Sequence, residues 1–329
     1  MNPTTIDLAD QPDAVAEVAS KAKATNVLNP NRIFIVEGER SWSPMVLAAK
    51  KIVFKADSKL IFDNTNSNAA GHFHIVADEI EQEDPARPGI ITWYTEVPVA
   101  PADRGQAPAG ANGAGTGAPG GNGAPGAPGA TGLLGASAPD LTLYVRTLGG
   151  GGPIIKFSGG KGGPGGLGQQ GGNGGGGTQG ESARQARANG PFGTVIWLPS
   201  CESGPGRGGD GGAGGPGGQG GTGGQGGNGG NVTLISLQEN IPVLFQAVRV
   251  DLGGGEGGDA GAGNRGGDGG LGGPEGPLAS FCNSAGRNGA PGPQGTSGPA
   301  GNKGEAGRSG QPFVGQLTNQ QFSSLFGFE

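Results

Sequence analysis

The sequence predicts an all-β protein: a β-solenoid-like core carrying packed glycine-rich helices of the polyglycine II or polyproline II type. Three observations lead there. From Gly206 to Gly230 the chain repeats Gly-Gly-X without a break, and a three-residue period is the pitch of the polyproline II helix, with its glycines on edges that another backbone can approach. Elsewhere, short runs of β-branched and aromatic residues alternate with Asn, Asp, Gly and Pro corners, the signature of many short strands. The two kinds of segment do not mix: all 3 Trp, 2 Tyr and 12 Phe lie outside the glycine tracts.

Composition narrows the classes. Of 329 residues, 78 are Gly and 26 Pro, and the net charge is -6. Such a load ordinarily means disorder or collagen. A flexible linker has no need to keep glycine in register, and collagen wants proline where 206–230 places a second glycine. Ordering glycine is entropically expensive, and this helix type has no internal hydrogen bonds, so the tracts are expected to pack side by side and bond one another. The scattered charges form no basic stripe, which argues against a nucleic-acid partner. No apolar run reaches membrane-spanning length, and MNPTTIDLADQPDAVAEV lacks the basic start and apolar core of a secretory signal.

In chain order, 1–30 is a lead-in with a short helix between Pro12 and Pro30, where Val15, Val18, Ala19 and Ala22 have helical spacing. Residues 31–100 form a β-domain with strands at Ile33–Val36, Met45–Ala48, Ile52–Lys55, Leu60–Phe62, Phe73–Ala77 and Ile90–Tyr94; KIVFKA and KLIFDN recur after short gaps, as stacked rungs do. Residues 101–311 alternate five tracts with apolar connectors: LTLYVRTL with PIIKFS, GTVIWLP, NVTLISL with PVLFQAVRVDL, and PLASFCNSA. The tracts would span roughly 50–80 Å at about 3.1 Å per residue, further than a connector strand can return. Successive tracts therefore reverse direction, or a tract doubles back; phase breaks at Gly113–Gly117 and around Asn264 suit a reversal. The last tract, 286–310, is the most collagen-like and is a candidate for homo-oligomer formation. Residues 312–329 cap the chain: Thr318 and Gln321 match a capping box, followed by the apolar face of Phe322, Leu325 and Phe326, and Gly327 as the stop.

Candidate chemistry is sparse. Matches to G-x-G-x-x-G arise automatically from Gly-Gly-X and precede no helical pattern, and Lys161 in GGKGG has no Ser or Thr after it, so no nucleotide cofactor is expected. His72 and His74 share a strand face without a third firm metal ligand, and Asp210 and Asp268 lack the Asp in each repeat that calcium-binding nonapeptides need, so no metal is expected. The carboxylates of EIEQED read as a solvated strand edge. Cys201 and Cys282 become disulfide partners if their connectors gather at one end of a bundle, and are otherwise two buried thiols. What remains is surface: Arg207, Gln219, Gln225 and Asn228 along a tract, with Tyr144, Trp197 and Phe281 in the connectors, form the candidate recognition surface.

The alternation of motifs such as GRGGDGGAGGPGGQGGTGGQGGNGG with apolar connectors over 105–311 resembles the tip adhesins of T-even-type phage tail fibres. That resemblance implies a packed polyglycine II bundle displaying recognition loops. Residues 72–93, HFHIVADEIEQEDPARPGIITW, are similar to uncharacterised bacterial β-helical glycine-rich proteins, which implies a solenoid. The expected function is a non-enzymatic structural or adhesion protein, acting extracellularly or on a virion or other assembly surface, that presents loops to a cell-surface glycan or protein receptor. Two alternatives are an ice-binding protein, since a bundle of glycine triplet helices resembles the springtail antifreeze class, and a polysaccharide-active enzyme using Asp78, Glu79 or Glu81.

Overall fold

The computed structural model describes residues 4–7, 16, 17, 20, 33–63, 71–284 and 287–326. Of the helix expected in the lead-in only residues 16, 17 and 20 are described, each helical and exposed, and the stop at Gly327 lies outside the described residues. Strand β1 (Thr4–Asp7) is followed by a chain that visits two parallel sheets in turn: β2 (Ile33–Val36) in the first and β3 (Glu39–Trp42) in the second, then β4 (Val46–Phe54) and β5 (Lys59–Phe62), β6 (His72–Gln82) and β7 (Ile90–Trp93), β8 (Asp140–Gly149) and β9 (Ile154–Lys156). A separate antiparallel pair, β10 (Arg184–Asn189) and β11 (Val195–Ser203), intervenes. Strand β12 (Val232–Leu237) then returns to the first sheet, β13 (Arg249–Asp251) to the second and β14 (Pro312–Leu317) to the first. The orders are β1-β14-β12-β8-β6-β4-β2 and β13-β9-β7-β5-β3. The strands after residue 100, the β10–β11 pair apart, thus extend the sheets begun in 31–100.

In-register stacking of like residues makes the core. Between the sheets, Phe73, Leu141 and Val232 stack in one column, and Ile75, Leu143, Leu234 and Val314 in the next. The Phe62 and Phe73 rings close the gap at 4.6 Å. The two strands expected at Met45–Ala48 and Ile52–Lys55 are one strand, β4, because Val46 to Ala49 are buried on both faces: Leu47 and Ala49 face the inter-sheet core, Val46 and Ala48 a second cluster. That cluster lies beneath the C-terminal helix α2 (Asn319–Phe326), through Phe322 and Leu325. The capping box is formed: Thr318 N–H donates to Gln321 Oε1 at 2.9 Å and Gln321 N–H to Thr318 Oγ1 at 3.2 Å. The PVLFQA connector is a helix, α1 (Ile241–Ala247), with Pro242 in its first turn, where its missing N–H costs nothing, and Leu244 buried. The described part of PLASFCNSA, 277–284, forms no strand.

The glycine-rich residues run as six legs: 98–113, 117–138, 159–180, 206–230, 253–276 and 287–310. The first expected tract is two legs, reversing where Gly115 and Gly117 take φ of 93° and 66°. Asn264 marks no reversal; its N–H donates to Gly218 O at 3.1 Å in a register position that glycines hold on either side. Gln169, another departure from Gly-Gly-X, accepts from Gly218 N–H, so both irregularities meet at one glycine. Each leg bonds its neighbours every third residue.

Legs 2, 4 and 6 feed β8, β12 and β14 and bond one another, as in Gly129 N–H to Gln219 O and Gly220 N–H to Pro299 O. Legs 1, 3 and 5 leave β7, β9 and β13 and do likewise, as in Gly110 N–H to Asn173 O and Gly162 N–H to Glu256 O. Bonds such as Gly166 to Ala130, Gly221 to Gly166 and Gly301 to Gly261 join the layers. The six legs therefore prolong the two sheets as a two-layer slab.

The count of glycines per triplet follows position in that slab. A Cβ on Gly220 would meet Gly261 O at 1.9 Å, and one on Gly221 would meet Ala130 O at 2.0 Å, so leg 4 needs glycine on two edges. On leg 6 only one residue in three faces neighbours: a Cβ on Gly301 would meet Gly221 O at 2.1 Å, while the other two positions are exposed. Its collagen-like look is that of an outermost leg, packed against legs 4 and 5 of its own chain.

Candidate recognition tip

Leg 3 runs out from β9 into β10, and β11 returns through leg 4 to β12. The β10–β11 hairpin pairs with neither large sheet. Its strands follow from ARAN and the β-branched and aromatic run Val195-Ile196-Trp197-Leu198. The turn is set by Pro191, by Gly193 at φ 78°, and by Phe192, held at φ 62° with its ring fully exposed. Thr194 Oγ1 donates to Pro191 O at 2.9 Å and Gly190 N–H to Thr194 O at 2.7 Å, closing the turn. Asn189 pairs with Val195, Ala188 with Ile196 and Arg187 with Trp197.

Legs 5 and 6 meet at the same end through 277–284. Ala183 N–H donates to Pro277 O at 2.9 Å, and a Cys201–Cys282 disulfide, S–S 2.14 Å, ties β11 to this loop. Between hairpin and loop lies an open groove of about 730 Å³, lined by Arg184, Gln185, Arg187, Trp197, Glu202 and Leu278. Arg184 is paired with Glu181 at 2.9 Å, whereas Arg187 makes no ion pair among the described residues. Apolar side chains are exposed together here: Trp197 is 61% and Phe281 63% exposed, alongside Phe192, Val195 and Ile196; a second exposed apolar group, with Tyr94, Val97, Val99, Leu133 and Leu134, lies along the start of the slab.

The expected recognition residues divide. Trp197 and Phe281 come together at the disulfide-tied end. Arg207 is exposed at the start of leg 4, ion-paired with Asp210 at 2.6 Å. Gln219 and Gln225 are exposed further along the slab and make no side-chain hydrogen bond among the described residues. Asn228 is exposed near the core, but its Oδ1 accepts Arg308 N–H at 2.9 Å, so its side chain binds the next leg. Tyr144 is a correction: it is 4% exposed under α2, because β8 is covered on both faces, and burial pushes its phenol up to about 12. Phe192, Val195, Ile196 and Arg187 were not singled out from sequence. The signal was present: from Ala188 to Cys201 there is no charged residue, while Phe192 and the run Val195-Ile196-Trp197-Leu198 are apolar.

The other candidates are structural. Asp78 pairs with Arg146 at 2.8 Å, Glu79 and Glu81 with Lys51, and Glu83 with Lys55 at 2.5 Å. Glu81 and Glu83 accordingly hold the Lys51 and Lys55 ammonium groups above the usual lysine value. The His72 and His74 rings stack at 4.5 Å, and His72 Nε2 lies 2.7 Å from Thr142 Oγ1. No group of three or more His, Cys, Asp or Glu able to hold a metal occurs among the described residues. Asp210 Oδ1 accepts Ala290 N–H at 2.7 Å, and Lys161 pairs with Asp259 at 3.2 Å. Among the described residues no helix is long and apolar enough to cross a membrane.

No family model matches the chain, and no curated protein matches it. A springtail antifreeze protein from Granisotoma rainieri, described as a nine polyproline type II helical bundle whose crystal waters match the ice lattice, aligns at 23% identity over 60% of this chain and 92% of its own. Its TM-score is 0.08, too low to bear on fold or function.

Proposed function

We propose that this chain is a non-enzymatic structural or adhesion protein, acting outside the cell or on an assembly surface, that holds a recognition tip against a cell-surface receptor or glycan. The observation that carries the reading is the β10–β11 hairpin: an exposed apolar element, tied by a disulfide, at the far end of six mutually bonded legs. A monomeric protein rarely exposes contiguous apolar surface without a partner for it. The legs are read as polyglycine II helices, on the strength of bonds to several neighbours at every third residue, and the paired sheets as a solenoid whose corners the legs replace. The disulfide favours an oxidising compartment. The carboxylates of Asp78, Glu79, Glu81 and Glu83 are each ion-paired with a cation of a neighbouring strand, which supports reading them as a solvated strand face.

The test is binding of the full chain to intact cells and to a glycan array, beside a variant in which 186–200 is replaced by a short Gly-Ser turn. Binding by the full chain and its loss in the trimmed protein are expected. Equal binding by both would remove the tip from the function.

A further inference from the structure

Resting on the tip reading for where contact is made, and replacing the receptor or glycan as what the tip contacts, we infer that the partner of the β10–β11 hairpin is a lipid surface, into whose interfacial layer the hairpin turn inserts. The first ground is that both faces of β11 are apolar. Val195, Ile196, Trp197 and Leu198 are consecutive, so alternation sends two to each side of the ribbon, and every residue of β11 is exposed. A protein or sugar partner docking on one face would leave the other in water; a surrounding apolar medium covers both.

The second ground is the distribution of charge along the hairpin. From Ala188 to Cys201 no residue is charged, and the exposed Phe192 stands at the turn. The first charges behind it are Arg187, paired in register with Trp197, then Glu202 and Arg184 near the disulfide. An apolar apex, a tryptophan behind it and an unpaired guanidinium at the Trp level match the acyl boundary, interface and phosphate layer of a lipid leaflet. Sugar recognition instead asks for dense hydrogen-bonding groups, which the apex lacks.

The turn is preformed. Phe192 and Gly193 hold left-handed φ, and the Thr194 bonds close the loop. Insertion therefore orders little that is not already ordered. The hairpin is too short to span a bilayer, so binding is peripheral and reversible.

The experiment is flotation of the full, oxidised protein with phosphatidylcholine vesicles and with phosphatidylcholine–phosphatidylglycerol vesicles, read alongside tryptophan emission. Trp93 is buried and Trp42 half-buried in the core, so a lipid-dependent blue shift and quenching by brominated lipid should come from Trp197 and vanish in Trp197→Phe. The double variant Phe192→Ser/Ile196→Ser changes only exposed side chains and should retain its thermal transition while losing vesicle binding about tenfold or more. Arg187→Gln should weaken binding to the anionic vesicles alone. If wild type ignores both vesicle types yet binds cells, and the double variant does not, the lipid partner is overturned in favour of a protein or glycan receptor and the tip reading stands. If the double variant binds cells as well as wild type, the tip reading itself fails.

Discussion

The side-chain oxygen of Asn228 on leg 4 accepts the backbone N–H of Arg308 on leg 6 at 2.9 Å. The glycine amides of the slab bond carbonyls of neighbouring legs; the amide of the outward X residue has no such partner from glycine alone. Side chains supply it. Asn122 serves Ala213, Asn173 serves Asp268, Asp210 serves Ala290 and Asn231 serves Gln311. Polar X residues thus join adjacent legs of one layer, an arrangement equivalent to helix capping in a structure without helical caps.

Asn228→Ala should therefore expose one amide and leave the rest of the slab in place. Its cost is expected to be about 1 kcal/mol. Hydrogen exchange should quicken at Arg308, with the amides of Gly226 and Gly229 still protected.

The two-edge rule predicts a steep contrast within one triplet. Gly221→Ala places a methyl 2.0 Å from Ala130 O, where only backbone could give way, so destabilisation of about 3 kcal/mol or more is expected. Gln219→Ala, on the exposed edge of the same leg, should stay within about 0.5 kcal/mol. Denaturant unfolding of the two variants checks both.

Reduction should loosen the tip and leave the sheets intact. The disulfide closes a separation of 81 residues, a loop length for which chain entropy alone gives about 4.5 kcal/mol. Trypsin should then cut at Arg184 and Arg187 in reduced protein and in Cys201→Ser/Cys282→Ser, well before it reaches Lys51 or Arg146, which lie in inner strands of the seven-stranded sheet.

Tyr144 gives a pH signature. Its folded pKa, raised by burial to about 12, stands above the ordinary 10.0. The folded state therefore holds the proton more tightly than the unfolded state between those values. The stabilisation is complete below pH 10 and is lost as pH rises through about 12. Lys51 and Lys55 are also raised and titrate on the alkaline side, so the Tyr144 contribution is the difference in slope between wild type and Tyr144→Phe. Phenolate absorbance from Tyr144 should appear only near the upper end of that range.

Thr318→Ala removes the oxygen that caps Gln321 N–H, and about 1 kcal/mol of helix stability should go with it. Because Phe322 and Leu325 roof the cluster that holds Tyr144, near-UV circular dichroism from the tyrosine should weaken in this variant before the transition of the main core.

Much of this architecture was legible because its signals are local. The three-residue period marks the legs, the break at Gly113–Gly117 marks a reversal, and Thr318 with Gln321 marks the start of α2. What was not legible depends on a neighbour distant in sequence. LTLYVRTL is apolar on both faces because α2, some 170 residues later, covers the outer one; a near-continuous apolar strand is the trace this leaves. ERSW is absent from the expected strands and carries two charges, yet β3 is held by Arg40 lying 4.1 Å over the Phe34 ring and Trp42 edge-on to it at 5.4 Å. PVLFQA has the same composition as a strand and becomes α1 through Pro242. The role of Asn228 could not be read at all without knowing that Arg308 lies beside it, since an exposed polar residue in a triplet looks the same whether or not it faces another backbone.

Because the slab is held mainly by main-chain bonds among glycines, its strength is largely indifferent to the identity of residues such as Gln219, Gln225 and Thr222 on its open faces. Mutation there can drift at little penalty, while a single methyl one position away is forbidden. The arm is in that sense a blank rail with fixed pitch, on which chemistry can be rewritten at these open positions, though not at the amide-bonding Asn and Asp residues, while the distance from base to tip stays constant.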